Sequence, residues 1–380
     1  MKLEDLRLDI DRVDNELIRL FEERMRIAAQ IGEYKQQNSM PVLDPKRERE
    51  KLRELSGRLP ESLREYGYSL YSLIFELSRC SQNRIINKQG EMSSRIIRAL
   101  EETPKLLPDA PTVACQGVEG AYSQLACERV FKKPDIFFFK SFEAVFTAIE
   151  KGLCSYGIIP LENSTAGSVN KVYDLMQKHR FSIVRSTRIK IDHSLLANPG
   201  ARLEDIKEIY SHQQAISQCG EFLQSLSGVT VIPCENTAVA AKKVAESGRT
   251  DVAAIAGRSC VKLYGLKCLR EAIQDMGNNY TRFICISKEL EIYPGADRTS
   301  LMMTLPHTPG SLYKVLSRFY ALGLNLNKLE SRPLPERNFE FMFYFDLDVP
   351  VYSPGFIQLM DELGDISDSF SYLGSYSEVI

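Results

Sequence analysis

No stretch of this chain is apolar for long enough to cross a bilayer. Its first residues, Met1-Lys2-Leu3-Glu4-Asp5, are charged where a signal peptide would carry an apolar core. Charge of one sign is missing too. Lys and Arg number 48 against 50 Asp and Glu, a formal net charge of −2, so nothing draws the whole protein to nucleic acid or to an anionic membrane. Any anion must be recognised by local groups. Histidine is scarce: there are four, far apart and without an HExxH pair, which argues against a metal site. The nine cysteines are odd in number, scattered and free of any CxxC pair, and read as reduced thiols of a cytoplasmic protein. The glycine turn Gly117-x-x-Gly120 lacks the GxGxxG spacing of a dinucleotide loop. Neither metal nor coenzyme is expected.

What is present is an ordinary soluble composition, 44% apolar and 26% charged, over 380 residues. That length predicts two or three domains. Leu3, Leu6, Ile10, Val13, Leu17 and Leu20 alternate three- and four-residue steps, and Ile27 and Ile31 extend the stripe. With no proline before Pro41, the helix would be about 50 Å long, too long for a small domain, and its stripe is expected to pack on another chain. A second helix should follow Asp44 as N-cap and Pro45; a third runs near Glu61 to Asn83. Residues 88–110 read as a polar connector.

Cationic side chains recur on the first helix. Arg24 and Lys35 are about 20° apart around the axis and about 16 Å apart along it, so both can reach one small anion. Arg7 is about 25 Å from Arg24 and about 100° away, so it would serve such a ligand only from a second copy. Arg47 is placed to bind a carboxylate, Asp44 and Glu48 flank it, and Ser78 and Gln82 are i,i+4 on the third helix. On these residues (Arg7, Arg24, Lys35, Asp44, Arg47, Glu48, Ser78 and Gln82) residues 1–88 resemble an all-helical chorismate mutase domain of the intertwined-dimer type. The resemblance implies that the cations hold the two carboxylates of chorismate, one arginine coming from the partner, and that Lys35 and Gln82 face the ether oxygen. A pericyclic rearrangement suits this set, since it needs placed donors and no nucleophile.

From Thr112 the pattern changes to alternating strands and helices, an α/β order that runs to about residue 287. Strands are expected at 112–115, 156–160, 183–188, 229–234 and 252–256, with a helix over 239–246. Polar residues gather at Gly117–Ser123, Pro160-Leu161-Glu162-Asn163-Ser164, Ser211-His212 with Gln218-Cys219, Asn236-Thr237-Ala238 and Thr281-Arg282-Phe283. Such groups line a pocket for a small polar ligand. In this order they resemble a prephenate dehydratase domain, here residues 111–289. That resemblance implies two α/β lobes, like a periplasmic binding protein, around a cleft. The second lobe should begin at Asp192-His193-Ser194, and the chain should return to the first near Gly277. The substrate set would be Tyr122, Ser123, Glu162, Asn163, Ser164, Ser211, His212, Gln218, Thr237, Thr281, Arg282 and Phe283. Expelling hydroxide from the ring needs a proton donor. The resemblance implies Thr281; by residue type Glu162 and His212 stay open.

Residues 298–380 read strand 300–305, helix 311–322, strands 325–331 and 339–348, helix 354–363 and strand 370–373, a βαββαβ order. His307-Thr308-Pro309-Gly310-Ser311-Leu312 and Glu330-Ser331-Arg332-Pro333 within it resemble an ACT regulatory domain. The resemblance implies a phenylalanine site between paired subunits, built from His307, Pro309, Gly310, Ser311, Leu312, Glu330, Ser331, Arg332 and Pro333.

The expectation is a multidomain homodimer or higher homo-oligomer. It would take chorismate and prephenate as substrates and L-phenylalanine as inhibitor, and bind neither nucleic acid nor membrane. A small-molecule sensor is the rival class, but it would need no donors for an ether oxygen. A mutase joined to a prephenate dehydrogenase would need the dinucleotide loop that is missing.

Overall fold

The computed structural model describes residues 2–86, 90–334 and 340–380. The chain forms two compact units, Met1–Ser94 and Arg95–Ile380.

The first unit is helical. α1 (Leu3–Gln37) runs unbroken for 35 residues. α2 (Pro45–Gly57) starts as expected, the Asp44 carboxylate accepting from the Arg47 backbone N–H at 3.0 Å. A single 3₁₀ turn over Glu61–Leu63 leads into α3 (Arg64–Ile86). α1 and α3 approach closely at Gly32, where a Cβ would stand 3.1 Å from the Cα of Gln82. Ala28 and Gly32 are the buried positions of α1, whereas Leu3, Leu6, Ile10, Val13, Leu17 and Leu20 are exposed. The stripe seen in the sequence is therefore an open apolar face.

The expected connector needs correction. Residues 91–102 form α4 (Glu91–Glu102), on which Ile96 and Ala99 are buried three residues apart. Its charged residues hide a helical period: a single buried stripe is enough to hold it. The expected end of the first domain at residue 88 lies outside the described residues.

The second unit begins with β1 (Thr112–Gln116), α5 (Tyr122–Val130), β2 (Asp135–Phe139), α6 (Phe142–Glu150), β3 (Tyr156–Asn163), the short β4 (Gly167–Ser168), α7 (Asn170–His179) and β5 (Ser182–Lys190). The chain then leaves for a second lobe. That lobe holds β6 (Ser194–Ala197), β7 (Glu208–His212), α8 (Gln213–Ser217), α9 (Gly220–Gln224), β8 (Thr230–Cys234), α10 (Thr237–Ser247), β9 (Val252–Ala256), α11 (Ser259–Tyr264) and β10 (Lys267–Arg270). Its five strands order as β10-β6-β9-β7-β8. β11 (Tyr280–Ser287) returns to the first lobe between β3 and β5, antiparallel to both. Departure near Asp192 and return near Gly277 are thus where the sequence placed them.

β12 (Arg298–Thr304), α12 (Ser311–Ala321), β13 (Asn325–Pro333), β14 (Phe341–Asp348), α13 (Phe356–Ile366) and β15 (Ser369–Val379) complete the βαββαβ order. Phe339, expected at the start of the fourth of these strands, lies outside the described residues. β15 is much longer than the expected 370–373. Its last residues pair in parallel with β5, Ser377 opposite Arg185. One sheet of ten strands results, β13-β14-β12-β15-β5-β11-β3-β1-β2 with β4 beside β3. Its two parts share a core: Ile284 and Ile286 of β11 pack with Met302, Met342, Tyr344 and Tyr376. The opposite face of β11, through Phe283 and Cys285, packs with Ala126 and Cys127 of α5.

Candidate functional site

In the first unit α1 and α3 bring Arg24 and Ser78 together, with Lys35 and Gln82 further along the same two helices. The Arg24 guanidinium donates to Ser78 Oγ and, at 3.4 Å, to the Ile74 carbonyl, and lies 5.3 Å from the Phe75 ring centroid. Burial lowers its pKa from the usual value. Lys35 Nζ donates to the Val42 carbonyl at 2.6 Å; burial lowers its pKa too, against the opposing pull of Asp44 and Glu48. Gln82 Oε1 is buried and has no partner among the described residues, an acceptor or amide left for something else. Glu48 is held by Arg79, a residue not singled out in the sequence. Arg7 and the Arg47 side chain are exposed, and the protomer does not bring Arg7 to the cluster.

In the second unit the junction of the two lobes carries a continuous amide and hydroxyl network. Asn163 Nδ2 donates to Asn279 Oδ1 (2.7 Å), Thr281 Oγ1 (2.9 Å) and the Tyr280 carbonyl (3.3 Å). Its Oδ1 accepts from the Thr165 hydroxyl (2.7 Å) and from the backbone N–H groups of Thr165 and Ala166. Gln218, from the second lobe, donates to Thr165 Oγ1 at 2.9 Å and accepts from Asn279 Nδ2 at 3.0 Å. His193 Nε2 is 3.0 Å from the same Gln218 oxygen, so it carries the proton there. Thr281 is the end of this chain. Its oxygen accepts from Asn163, and its own proton has no acceptor among the described residues.

Other expected members stand differently. Ser211 is fully buried and donates to the Ile255 carbonyl at 2.8 Å. Ser123 donates to the Gln116 carbonyl, and Tyr122 donates to the Asp192 carbonyl at 2.8 Å, a link at the hinge. His212 caps α8, its Nδ1 accepting from Gln214 N–H. Thr237 opens α10, which Asn236 caps. Ser164 donates to the Asn278 carbonyl at 3.0 Å. Phe283 belongs to the core and is not a wall of the cleft.

Glu162 and Arg282 correct the expectation most. Strand alternation turns them away from Asn163 and Thr281. Glu162 Oε1 is 3.2 Å from Arg282, and its Oε2 is 2.5 Å from Lys328 on β13. Arg282 also pairs with Asp346 on β14. Both carboxylate oxygens of Glu162 are thus taken by cations. A cavity of about 610 Å³ touches this side of the strands. Glu162 and Arg282 line it together with Asn163, Ser164 and the cations Arg129, Arg188 and Lys190, whereas Thr281 does not; Arg188 is paired with Glu378 and Lys190 with Asp192. Lys328, Asp346, Asn279, Thr165 and His193 were not among the expected site residues. Thr165 directly follows the Pro160–Ser164 motif and Asn279 stands two residues before Thr281, so both could have been found from their neighbours; Lys328 and Asp346 had no local signal.

The C-terminal glycine turn forms its own cavity of about 310 Å³, lined by His307, Gly310, Ser311, Leu312 and neighbours including Tyr313, Phe341 and Phe343. Pro309 is not part of its lining. The Glu330–Pro333 segment does not line it either: Glu330 accepts from Ser168 at 2.7 Å, Arg332 pairs with both oxygens of Asp174, and Ser331 and Pro333 are exposed.

Residues 6–83 match the family described as Chorismate mutase type II, and residues 113–291 match that described as Prephenate dehydratase. The bifunctional chorismate mutase/prephenate dehydratase of Escherichia coli K12 is 30% identical over 381 residues, covering 98% of this chain and 95% of the relative. The arogenate dehydratase/prephenate dehydratase 1 of Arabidopsis thaliana is 36% identical over 281 residues, 70% of this chain and 71% of that protein. A crystal structure of prephenate dehydratase from Arthrobacter aurescens in complex with L-Phe has a TM-score of 0.64 at 28% identity, covering 70% of this chain and 90% of that one.

Proposed function

The chain belongs to the bifunctional chorismate mutase/prephenate dehydratase family, and from that premise we propose which of its residues carry each step. The protein rearranges chorismate to prephenate and converts prephenate to phenylpyruvate. In the first step Arg24 and Lys35 neutralise the substrate's carboxylates and fix the compact conformer. Lys35 and Gln82 then meet the negative charge that grows on the ether oxygen. Gln82 would do so through its amide N–H2, the group of that side chain able to donate; its buried oxygen can only accept. Arg7 completes the site from a second protomer, and the exposed stripe of α1 is where that protomer packs.

In the second step Thr281 gives its proton to the ring hydroxyl as that group leaves as water. The carboxylate on the same ring carbon system departs as carbon dioxide, and its bonding electrons complete the aromatic ring. One observation carries this assignment: the Thr281 oxygen is already hydrogen-bonded by Asn163, so its proton is the free part of the hydroxyl. Glu162, with both oxygens ion-paired, is the weaker donor. In Thr281→Ala, phenylpyruvate formation from prephenate should fall on the order of 10²–10⁴-fold while chorismate is still consumed. Dehydration within about tenfold of wild type would move the proton to another group.

L-phenylalanine binds at the turn His307–Tyr313 of this chain and lowers dehydratase activity by favouring one conformation. The L-Phe complex of the Arthrobacter relative and the cavity around Gly310 support the site. Titrating L-phenylalanine into the coupled assay tests it: unchanged phenylpyruvate production at saturation would remove this reading.

A further inference from the structure

We propose that Lys328, on β13 of the C-terminal module, is a positioning residue of the dehydratase site, acting through Glu162 and Arg282. The proposal rests on the reading that Thr281 and Asn163 form the reacting edge of that site. β11 and β3 pair Thr281 with Asn163 and, one residue on, Arg282 with Glu162. The second pair therefore stands directly behind the first, on the other face of the same two strands.

That rear face is clamped by charge from the C-terminal module. Lys328 Nζ is 2.5 Å from Glu162 Oε2 and 2.8 Å from Ser168 Oγ. Ser168 in turn donates to Glu330 Oε2 at 2.7 Å. Arg282 joins Glu162 to Asp346, and Tyr344 donates to Asp346 at 2.7 Å. The side chains of Arg282 and Asp346 are 7% and 5% exposed, and that of Lys328 is 15% exposed. Pairs so sheltered escape most of the screening that makes surface ion pairs weak, and they cannot lose one member without rearranging.

The ladder between β3 and β11 shifts register between Arg282 and Phe283. It is an irregular point, where a side-chain clamp can decide how the strands lie. Lys328 does not touch the Thr281 edge. Its effect reaches Asn163 and Thr281 through the peptide on either side, as a change in where two strands are held.

One strand of the clamp, β14, also faces the glycine-turn cavity, and β13 pairs with it. β14 sends Phe341 and Phe343 to that cavity and Asp346 to Arg282. A ligand that displaces β13 or β14 would thus move the cationic and anionic ends of the clamp together. Lys328 is where that movement enters the catalytic strands.

The test uses the full chain and four variants: Lys328→Met, Lys328→Arg, Glu162→Gln and the double Lys328→Met/Glu162→Gln. Lys328→Met should lower dehydratase kcat about tenfold with KM changed less than about twofold, since misplacement of reacting groups costs rate before it costs binding. Mutase turnover in the same chain should not change, and Lys328→Arg should restore most of the loss. The double variant should be no slower than Glu162→Gln alone, because both remove one interaction. Wild-type kcat in Lys328→Met overturns the proposal. So does a double variant that falls by the product of the two single effects. Should Lys328→Met not fold, Glu162→Gln decides: lowered kcat at constant KM supports the clamp, and unchanged kcat rejects it. Failure of the underlying reading looks different: Thr281→Ala would then dehydrate prephenate normally, whatever the Lys328 variants do.

Discussion

Residues whose roles depend on one free atom are the easiest to test. Lys35→Ala removes a donor placed for developing charge and should cost the mutase step on the order of 10²–10³ in rate. Dehydration of supplied prephenate should be untouched, measured as phenylpyruvate absorbance. Histidine offers a pH test. Burial lowers the pKa of His193 and of His212 from the usual 6.5. Above that pH neither residue is charged in either state, and neither makes stability depend on pH. Below it the unfolded chain takes up protons that the folded chain resists, so stability drops as pH falls through 6.5 towards the depressed folded values. Urea unfolding of the wild type between roughly pH 7.5 and 5.5 should show that slope, and His193→Gln should flatten it. An equal slope in the variant would place the proton uptake elsewhere. Resemblance implied Thr281 as the donor, while residue type left Glu162 and His212 open. Partners separated them: Glu162 is ion-paired, His212 spends a nitrogen on its helix cap, and Thr281 keeps a proton free.

At the scale of elements, two glycines hold conformations that side chains resist. Gly310 caps α12 at φ +85, with open space around it. Gly310→Val should therefore act through backbone strain, roughly 1–3 kcal/mol, and should weaken inhibition by L-phenylalanine while leaving mutase turnover alone. Full inhibition of that variant would show that the turn is not the effector site. Gly374 lies in β15 at φ +131, and a Cβ there would stand 2.5 Å from the Ile183 carbonyl oxygen. Gly374→Ala should lower the thermal midpoint of the second unit by several degrees, because the backbone of β5 must move. A midpoint within about 1 °C of wild type would mean that the junction yields easily. Elements with a strong local signal were legible beforehand. Asp44-Pro45 announced the start of α2, and the five-residue apolar run 252–256 is β9 as expected. α4 was missed because its charged residues masked a stripe with Ile96 at its centre. The end of β15 was missed because a glycine and two serines, Gly374, Ser375 and Ser377, interrupt its pattern, and its hydrogen-bond partner, β5, lies nearly two hundred residues away.

The whole molecule divides at residue 94 into two compact units. Differential scanning calorimetry with activity sampling should show mutase and dehydratase activities disappearing at separate temperatures, as expected of two separately compact units. A single transition with both activities lost together would contradict that. In the second unit a ten-stranded sheet runs through the first lobe and the C-terminal module, while the second lobe keeps its own five-stranded sheet. Sequence by itself determined the order of the parts, the helical and strand periods, and the hinge near Asp192 and Gly277. Period, capping and turn chemistry are local, and a chain writes them locally. Only tertiary structure decided which partners Glu162 and Arg282 meet: Lys328 and Asp346. Those two residues are brought from distant strands by the folding of the sheet, and no spacing within the chain records a contact of that kind.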